Sequence, residues 1–323
     1  MLQNTFELNK HWRLSPLILR RINSLLSDED KSCTNTYLSK QVQSGFIREM
    51  AKDKQLNEII DLLDKENIKI ILLKGTAFSK WLFSAEAPRL TNDIDILIKK
   101  ADWLRAEKLL SQVMVYTEKT QPDVFGDLYE ISFKPRKNVG AALDLHRSLT
   151  HPILFNIDES ALWESSLAHP FYTRCLMLCP EHALIHQAVH AYKDMNFEKY
   201  NLIDSIRLIS ELNSYDKLFC IAKSWGASVP LYILLMNCLS LQTNKELHEQ
   251  MKKNKPKSFV IQITKYLLNS DFKQPRNNRK CIRYRIHQVI SQFIFTSSIK
   301  RPAKLQVLFV YSFLKNMMAG RSD

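Results

Sequence analysis

The sequence predicts an α+β protein in which a small mixed β-sheet with helices is flanked by an N-terminal helical segment and a larger all-α C-terminal region. Before residue 64 and after about residue 163, apolar residues recur at the spacing of amphipathic helices. Between these regions, short β-branched or alternating runs separated by turn residues are typical of strands. We therefore divide the 323 residues into a helical segment, a sheet core and a helical domain with a basic tail, at 1–64, 65–150 and 151–323.

The N-terminal segment contains two predicted helices. The first, at 14–26, has Pro16 near its start, where a helix tolerates proline because the first N–H groups have no partner within the helix. The second, at 39–63, carries apolar residues on one face.

The core is predicted to begin with a strand, a helix and a second strand, and to end with a hairpin. The run at 68–73 has the composition of a buried strand, and Gly75 marks a turn into a helix that Pro88 ends. Asp102 is placed to cap a later helix. The predicted elements are strand 68–73, helix 76–83, strand 90–99, helix 103–112, strand 128–134, a turn at 135–140 and strand 141–147.

The C-terminal region is predicted to be helical from Trp163 to the end. Pro180 and Glu181 form a first-turn signature, and Gly226 stops a later helix. The predicted helices are 180–193, 203–212, 216–225, 230–241, 257–269, 281–296 and 303–317.

The net charge of +13 belongs to the tail. Residues 251–323 hold 16 Lys and Arg against two acids, which gives +14, so the preceding 250 residues carry −1. The basic clusters at 252–257 and 276–285 suit nucleic acid, an anionic membrane surface, an acidic partner or simply a solvated face. Because no signal-peptide pattern and no membrane-spanning apolar run is present, we expect a cytoplasmic protein.

Asp93 and Asp95 interrupt an apolar strand at positions i and i+2. Successive strand side chains point to opposite faces, so these two carboxylates point the same way. Neighbouring carboxylates repel each other and are costly to bury, so we expect a divalent cation to compensate them. The Gly75 turn upstream offers backbone N–H groups to an anion. A metal site beside a phosphate cradle indicates nucleotide chemistry.

Nucleotidyl transfer by two metal ions requires a third carboxylate, which helps to hold the ion that activates the attacking hydroxyl. Mg²⁺ prefers hard oxygen ligands and keeps several waters, so three acids and the substrate phosphates suffice. Asp144, flanked by leucines on the strand after the hairpin, is our first candidate, and Glu130 is the alternative. We predict that the catalytic residues, which also hold two Mg²⁺ ions, are Asp93, Asp95 and Asp144.

These residues resemble the motifs of the polymerase-β-type nucleotidyltransferase superfamily. The motifs are Lys74-Gly75-Thr76, Arg89, Asn92-Asp93-Ile94-Asp95 and Asp144-Leu145-His146. More narrowly, residues 55–240 are similar to a bacterial family of uncharacterised or putative nucleotidyltransferases. That family also has a Pro-Glu-Asp-like helix start with spaced histidines, which correspond here to Pro180-Glu181-His182, His186, His190 and then Asp204.

The resemblance implies a metal-dependent enzyme that moves a nucleoside monophosphate from an NTP to an acceptor and releases pyrophosphate. Gly75 and Thr76 would bind the nucleotide phosphates, although the superfamily usually has Gly-Ser or Gly-Gly there. Lys74 and Arg89 would neutralise charge on the transferred group. No motif identifies the acceptor, which could be a small molecule, a peptide or a protein.

Two other functions agree with the same pattern. One is a toxin–antitoxin-type transferase that adds AMP to a partner protein. The other is a degenerate nucleotidyltransferase fold that binds nucleic acid or a membrane surface through the basic tail. The intact spacing of the three acids argues against degeneracy.

Structural interpretations are open for most of these residues. Lys74 could be an ordinary surface lysine, and Arg89 could pair with Asp93 or Asp95 for stability alone. The aspartate pair itself could lie on an exposed strand edge without metal. The same question, whether the side chain is functional or structural, applies to His146, His186, His190 and Asp204, of which the middle two have the i, i+4 spacing of zinc ligands.

Overall fold

The structure is a computed structural model that describes residues 31–84, 89–119, 129–136, 140–193, 199–258, 260–263, 289–290, 292–294, 296 and 300–307. The predicted helix at 14–26 and the basic cluster at 276–285 lie outside these residues. Two compact units are present. The first comprises Met1–Thr120, Glu130–Arg147 and Ser165–Cys179, and the second comprises Gln121–Tyr129, Ser148–Glu164 and Pro180–Asp323.

The first unit is built on a seven-stranded mixed sheet with the strand order β3-β4-β5-β2-β1-β7-β6. Strands β2 and β5 are parallel, as are β1 and β7, and all the other neighbours are antiparallel. The predicted α+β class is therefore confirmed. The described elements of this unit are α1 (Lys31–Lys65), β1 (Ile70–Leu73), α2 (Lys74–Trp81), β2 (Asp93–Ile98), α3 (Trp103–Val113), β3 (Met114–Lys119), β4 (Glu130–Pro135), β5 (Ala142–His146), β6 (Leu167–Ala168) and β7 (Leu176–Met177).

The core of this unit lies at the centre of the sheet. All four residues of β1 are buried, and only Asp93 of β2 is partly accessible. Strand β1 is a continuous apolar run because both of its faces are covered, as the composition indicated, whereas two aspartates interrupt the apolar run of β2.

Three strands were not predicted. Strand β3 follows α3 directly, at Met114, without a Gly or Pro to signal the change. Strands β6 and β7 contain two residues each, too few to show a period, so the prediction of helix throughout from Trp163 onward is wrong.

The hairpin formed by β6 and β7 is anchored to α1 by two residues. The Tyr172 hydroxyl donates to Asp53 Oδ1 at 2.5 Å, and Lys80 of α2 lies 2.7 Å from the other oxygen of that carboxylate. Arg174, which is half exposed, pairs with Asp61 and Asp64 on the same helix. A buried and an exposed contact thus hold the same hairpin.

The starts of two helices differ from the predictions, one in its position and the other in its cap. Helix α2 begins at Lys74, two residues before the expected start. Asp102 occupies the position before α3, but its side chain makes no cap hydrogen bond and instead accepts from Arg105 at 3.1 Å. The predicted cap at Asp102 is therefore wrong, because an ion pair three residues along the helix uses the carboxylate.

The regular elements described in the second unit are helices. Helix α5 has the predicted bounds, and Gly226 ends α7 in the left-handed conformation with φ of 75°. Helix α9 was not predicted, although Asn244 caps it by accepting from the Leu247 N–H. The helices are α4 (Glu159–Glu164), α5 (Pro180–Lys193), α6 (Lys199–Ser210), α7 (Tyr215–Trp225), α8 (Ser228–Leu241) and α9 (Lys245–Lys253).

The described residues after 257 are helical at 258, 260–263, 289–290, 292–294 and 300–307, within or beside the three last predicted helices. Among the described helices, none has both the length and the apolar composition needed to cross a bilayer.

Candidate active site

The two aspartate motifs meet on one face of the sheet. Strands β2 and β5 run parallel with Asp95 opposite Asp144, and β4 places Ser132 opposite Asp144 on the other side. Asp93 lies two residues before Asp95 and therefore on the same face. The three predicted carboxylates thus belong to one face of two adjacent strands.

Asp95 is buried and accepts from two cationic or polar side chains. Lys74 Nζ lies 2.7 Å from Asp95 Oδ1, and His146 Nε2 lies 3.1 Å from the same oxygen. The side chains of Asp95 and His146 are almost completely buried, whereas that of Lys74 is 17% exposed. The interpretation of Lys74 as an ordinary surface lysine does not agree with this contact.

The backbone of Lys74 is unusual. Its φ is 51°, in the left-handed region, at the junction of β1 and α2. The predicted turn residue, Gly75, has no positive φ, since Gly140 and Gly226 are the glycines with positive φ in the described residues. The turn therefore places its strain on the residue that contacts Asp95.

The electrostatics of the two opposed aspartates differ. Burial alone would raise the pKa of Asp95, but the Lys74 ammonium and the His146 hydrogen bond together lower that pKa far below its ordinary value. Burial raises the pKa of Asp144, and the Asp95 charge raises it further. The Ser132 hydroxyl, which donates to Asp144 Oδ1 at 2.5 Å, acts in the opposite direction.

Gly75, Thr76 and Arg89 lie together at the first turn of α2. A Cβ atom at residue 75 would clash with Arg89 Nη1 and would lie 2.8 Å from Thr91 Cγ2, so Gly75 lets the buried Arg89 guanidinium approach the helix. The Thr76 hydroxyl donates to the Asp93 carbonyl oxygen at 2.7 Å. This bond ties the start of α2 to the start of β2.

Glu130 lies farther along the same face. The register places it opposite His146, two residues after Asp144, and Glu130 Oε2 lies 3.8 Å from His146 Nδ1. Glu130 therefore faces His146, whereas Asp144 faces Asp95 directly. This register favours Asp144 over Glu130 as the third acid.

The donor set of this face suits Mg²⁺. Asp93, Asp95 and Asp144 offer hard carboxylate oxygens, and the raised pKa of Asp144 indicates a carboxylate that additional positive charge would stabilise. In the described residues, no three His, Cys, Asp or Glu side chains are arranged as a ready metal site. Asp95 Oδ1 is instead bonded to Lys74 and His146.

The other candidate residues lie in the second unit. His186 and His190 are on α5 with their ring centroids 6.2 Å apart, and Asp204 is completely buried on α6. Ser132 was not predicted as a site residue. The sequence contained one indication of its role. Ser132 alternates with apolar Ile131 and Phe133 in the strand that pairs with the Asp144 strand.

Comparison with known proteins points to one family. The family model described as uncharacterised nucleotidyltransferase matches residues 3–241. No curated protein shows significant similarity to the chain.

Solved structures of nucleotidyltransferases have distant similarity. An antigenic nucleotidyltransferase-like protein from Paracoccidioides brasiliensis is 18% identical, with a TM-score of 0.41 over 64% of this chain and 94% of that chain. The lincomycin-bound lincosamide antibiotic adenylyltransferase LnuA is 15% identical, with a TM-score of 0.35 over 49% and 97%. The antibiotic-resistance factor ANT(2'')-Ia is 14% identical, with a TM-score of 0.37 over 61% and 98%.

Proposed function

We propose an activity for this chain, which belongs to the uncharacterised nucleotidyltransferase family. The proposed activity is the transfer of a nucleoside monophosphate from an NTP to an acceptor hydroxyl, with release of pyrophosphate. The observation that carries it is the register of β2 and β5, which sets Asp95 opposite Asp144 with Asp93 two residues away on the same face. We place the reaction in the cytoplasm, where NTPs are available.

The covalent step is a displacement at phosphorus. The acceptor oxygen forms a bond to the α-phosphorus, the bond from that phosphorus to the bridging oxygen breaks, and pyrophosphate leaves with the electron pair. The hydroxyl proton passes to the Asp144 carboxylate and then to solvent. The position of Asp144 on β5, directly opposite Asp95, supports this role.

Charge on the triphosphate requires cations and N–H donors. Gly75 belongs to the first turn of α2, where the phosphates would bind, and the Arg89 guanidinium lies against it. Lys74 bonds to Asp95, and we propose that it turns toward the phosphates when nucleotide binds. Thr76 would contribute through its backbone N–H, because its hydroxyl bonds to Asp93.

Asp93, Asp95 and Asp144 are the residues that would hold Mg²⁺. When bound, two Mg²⁺ ions would lower the pKa of the acceptor hydroxyl and neutralise charge on the leaving pyrophosphate. In this arrangement the His146 bond keeps the Asp95 carboxylate oriented.

The test is binding and turnover of NTP by the full chain. We expect Mg²⁺-dependent binding of at least one of the four NTPs by calorimetry, and loss of it with EDTA. Asp93→Asn should lower turnover by at least about a hundredfold, since it removes a metal ligand. Asp61→Asn, a change of the same kind at a half-exposed position of α1, is the control and should change neither quantity.

The acceptor is sought by incubation with a labelled NTP and cell extract. A labelled small molecule supports the proposed reaction, and a labelled protein identifies the AMPylating alternative. If wild type binds no NTP with Mg²⁺, or if Asp93→Asn behaves like wild type, the proposal is wrong. Salt-sensitive binding to RNA or anionic vesicles that survives Asp93→Asn would then favour the binding module.

A further inference from the structure

One face of α1 meets the chain immediately before both site strands. Glu49, Lys52 and Gln55 are spaced by three residues and therefore lie on the same side of the helix. They contact Thr91, two residues before β2, and Ala141, one residue before β5. These two strands carry the three candidate acids.

The contact with β5 is bidentate. Gln55 Oε1 accepts from the Ala141 N–H at 2.7 Å, and Gln55 Nε2 donates to the Ala141 carbonyl at 3.0 Å. Gly140 has φ of 126°, which a residue with a side chain rarely adopts, and a Cβ atom there would clash with Gln55 Oε1. Glycine is therefore needed at residue 140 both for the backbone and for the approach of Gln55.

The contact with the entry to β2 is a closed polar cluster. Lys52 Nζ donates to Glu49 Oε1 and to Thr91 Oγ1, and the Thr91 N–H donates to Glu49 Oε2 at 3.2 Å. Lys52 is 1% exposed and Glu49 is 7% exposed. A Cβ atom at Gly45 on the same helix face would clash with Leu90 Cδ1, so the helix also lies very close to this segment.

A buried ion pair contributes little stability compared with an apolar pair of the same shape, because both charges lose their hydration. Hydrogen bonds to both the N–H and the carbonyl oxygen of Ala141, in contrast, fix the position and the orientation of that residue. The two contacts fix the entries of two adjacent parallel strands to one rigid helix. Sliding of β5 against β2 would separate Asp144 from Asp95, since each residue along a strand is about 3.3 Å from the next.

We propose that Gln55 and the Glu49–Lys52 pair are positioning residues that set the alignment of β2 with β5 and so hold Asp144 opposite Asp95. The consequence for catalysis rests on the proposed function, whereas the consequence for strand alignment does not. A displacement of about 1 Å at reacting groups can cost about a hundredfold in rate. The effect should therefore appear in kcat more than in stability.

Gln55→Met tests the β5 contact, because it keeps the side-chain length and removes both hydrogen bonds. Amide hydrogen exchange by mass spectrometry should become at least about tenfold faster at 141–146, and kcat should fall by about tenfold or more with KM for NTP nearly unchanged. The matched control is Asn57→Met on an exposed position of α1, where the Asn57 side chain donates to the Asp53 carbonyl oxygen at 2.9 Å. It should leave exchange at 141–146 and kcat unchanged.

The double variant Glu49→Gln/Lys52→Met tests the β2 contact without leaving one buried charge alone. In this variant, amide exchange that is faster than in wild type at 90–95 and unchanged elsewhere in the sheet supports the inference. If exchange at both strand entries equals that of wild type, or if kcat falls only as far as the melting temperature accounts for, the inference is wrong. Were wild type inactive, the exchange experiment would still decide strand alignment while the proposed reaction failed.

Discussion

Lys74 Nζ lies 2.7 Å from Asp95 Oδ1, and it reaches that oxygen from a backbone with φ of 51°. Residues with a side chain lose about 1–2 kcal/mol in the left-handed conformation. The ion pair with a buried carboxylate offsets this cost, so the strain and the contact are two parts of one arrangement.

Replacement of Lys74 should separate these two parts. Lys74→Ala removes the cation and keeps the strain, and we expect it to lower the free energy of unfolding by about 3 kcal/mol, because Asp95 stays buried with one partner fewer. Lys74→Gly also removes the cation but releases the strain, so it should be more stable than Lys74→Ala by about 1 kcal/mol. Urea unfolding measures both, and equal stability of the two variants would contradict the strained conformation.

Gly75→Ala should lower stability because the new methyl group has no room, and not because the backbone at residue 75 requires glycine. The new methyl group would clash with the Arg89 guanidinium, and we expect a loss of about 1–3 kcal/mol in the free energy of unfolding together with weaker NTP binding. The same substitution in an Arg89→Ala background should cost clearly less. Additive costs in this double-mutant cycle would show that Arg89 is not the obstacle.

The two anchors of the β6–β7 hairpin should differ in strength. Tyr172→Phe leaves a buried bond to the Asp53 carboxylate unmade and should cost about 1.5–3 kcal/mol, as hydrogen bonds to charged groups do. Arg174→Ala removes exposed ion pairs to Asp61 and Asp64 and should cost less than about 1 kcal/mol. Thermal unfolding compares them, and the reverse order would refute this assignment.

His182 should make stability depend on pH. Burial lowers its pKa to about 4, an effect that Lys217 reinforces and that Glu181 and Asp158 oppose. The unfolded chain therefore binds a proton that the folded chain does not, so stability should be full above the ordinary pKa of 6.5 and should fall as the pH decreases toward 4. The contribution is at most about 3 kcal/mol.

Urea unfolding across that pH interval checks this prediction. His182→Phe keeps a ring in the position that stacks 4.9 Å from Trp225 and has nothing to protonate, so its stability should vary less with pH. An identical pH dependence in the variant would assign the effect to another group.

The sequence predicted the positions of the strands that form the site, because an apolar run and two interrupting aspartates are local features. It also predicted the third strand, since Leu143-Asp144-Leu145 shows the same interruption. The direct register of Asp95 with Asp144 depends on how two strands pair, which no local pattern contains.

The partners of the charged side chains were the least predictable part. The bond from Lys74 to Asp95 joins residues 21 positions apart, and no local pattern indicates it; the phosphate contact of Lys74 stays a prediction. Glu49, Lys52 and Gln55 have the composition of a solvated helix face, and only the tertiary fold buries the first two. Whether such polar side chains are buried depends on contacts with residues distant in the sequence, and not on the residue type alone.

Strand β1, which lies inside the sheet, receives its second neighbour late in the chain. Ile71 and Leu72 pair with Leu176 and Met177, more than a hundred residues later in the sequence. During synthesis on the ribosome, all three candidate acids therefore emerge while one edge of the Ile-Ile-Leu-Leu strand still lacks its partner. An uncovered apolar edge can pair with other chains. This edge of β1 therefore stays open until Met177 has left the ribosome, whereas the finished sheet ends on that side in the two-residue strand β6.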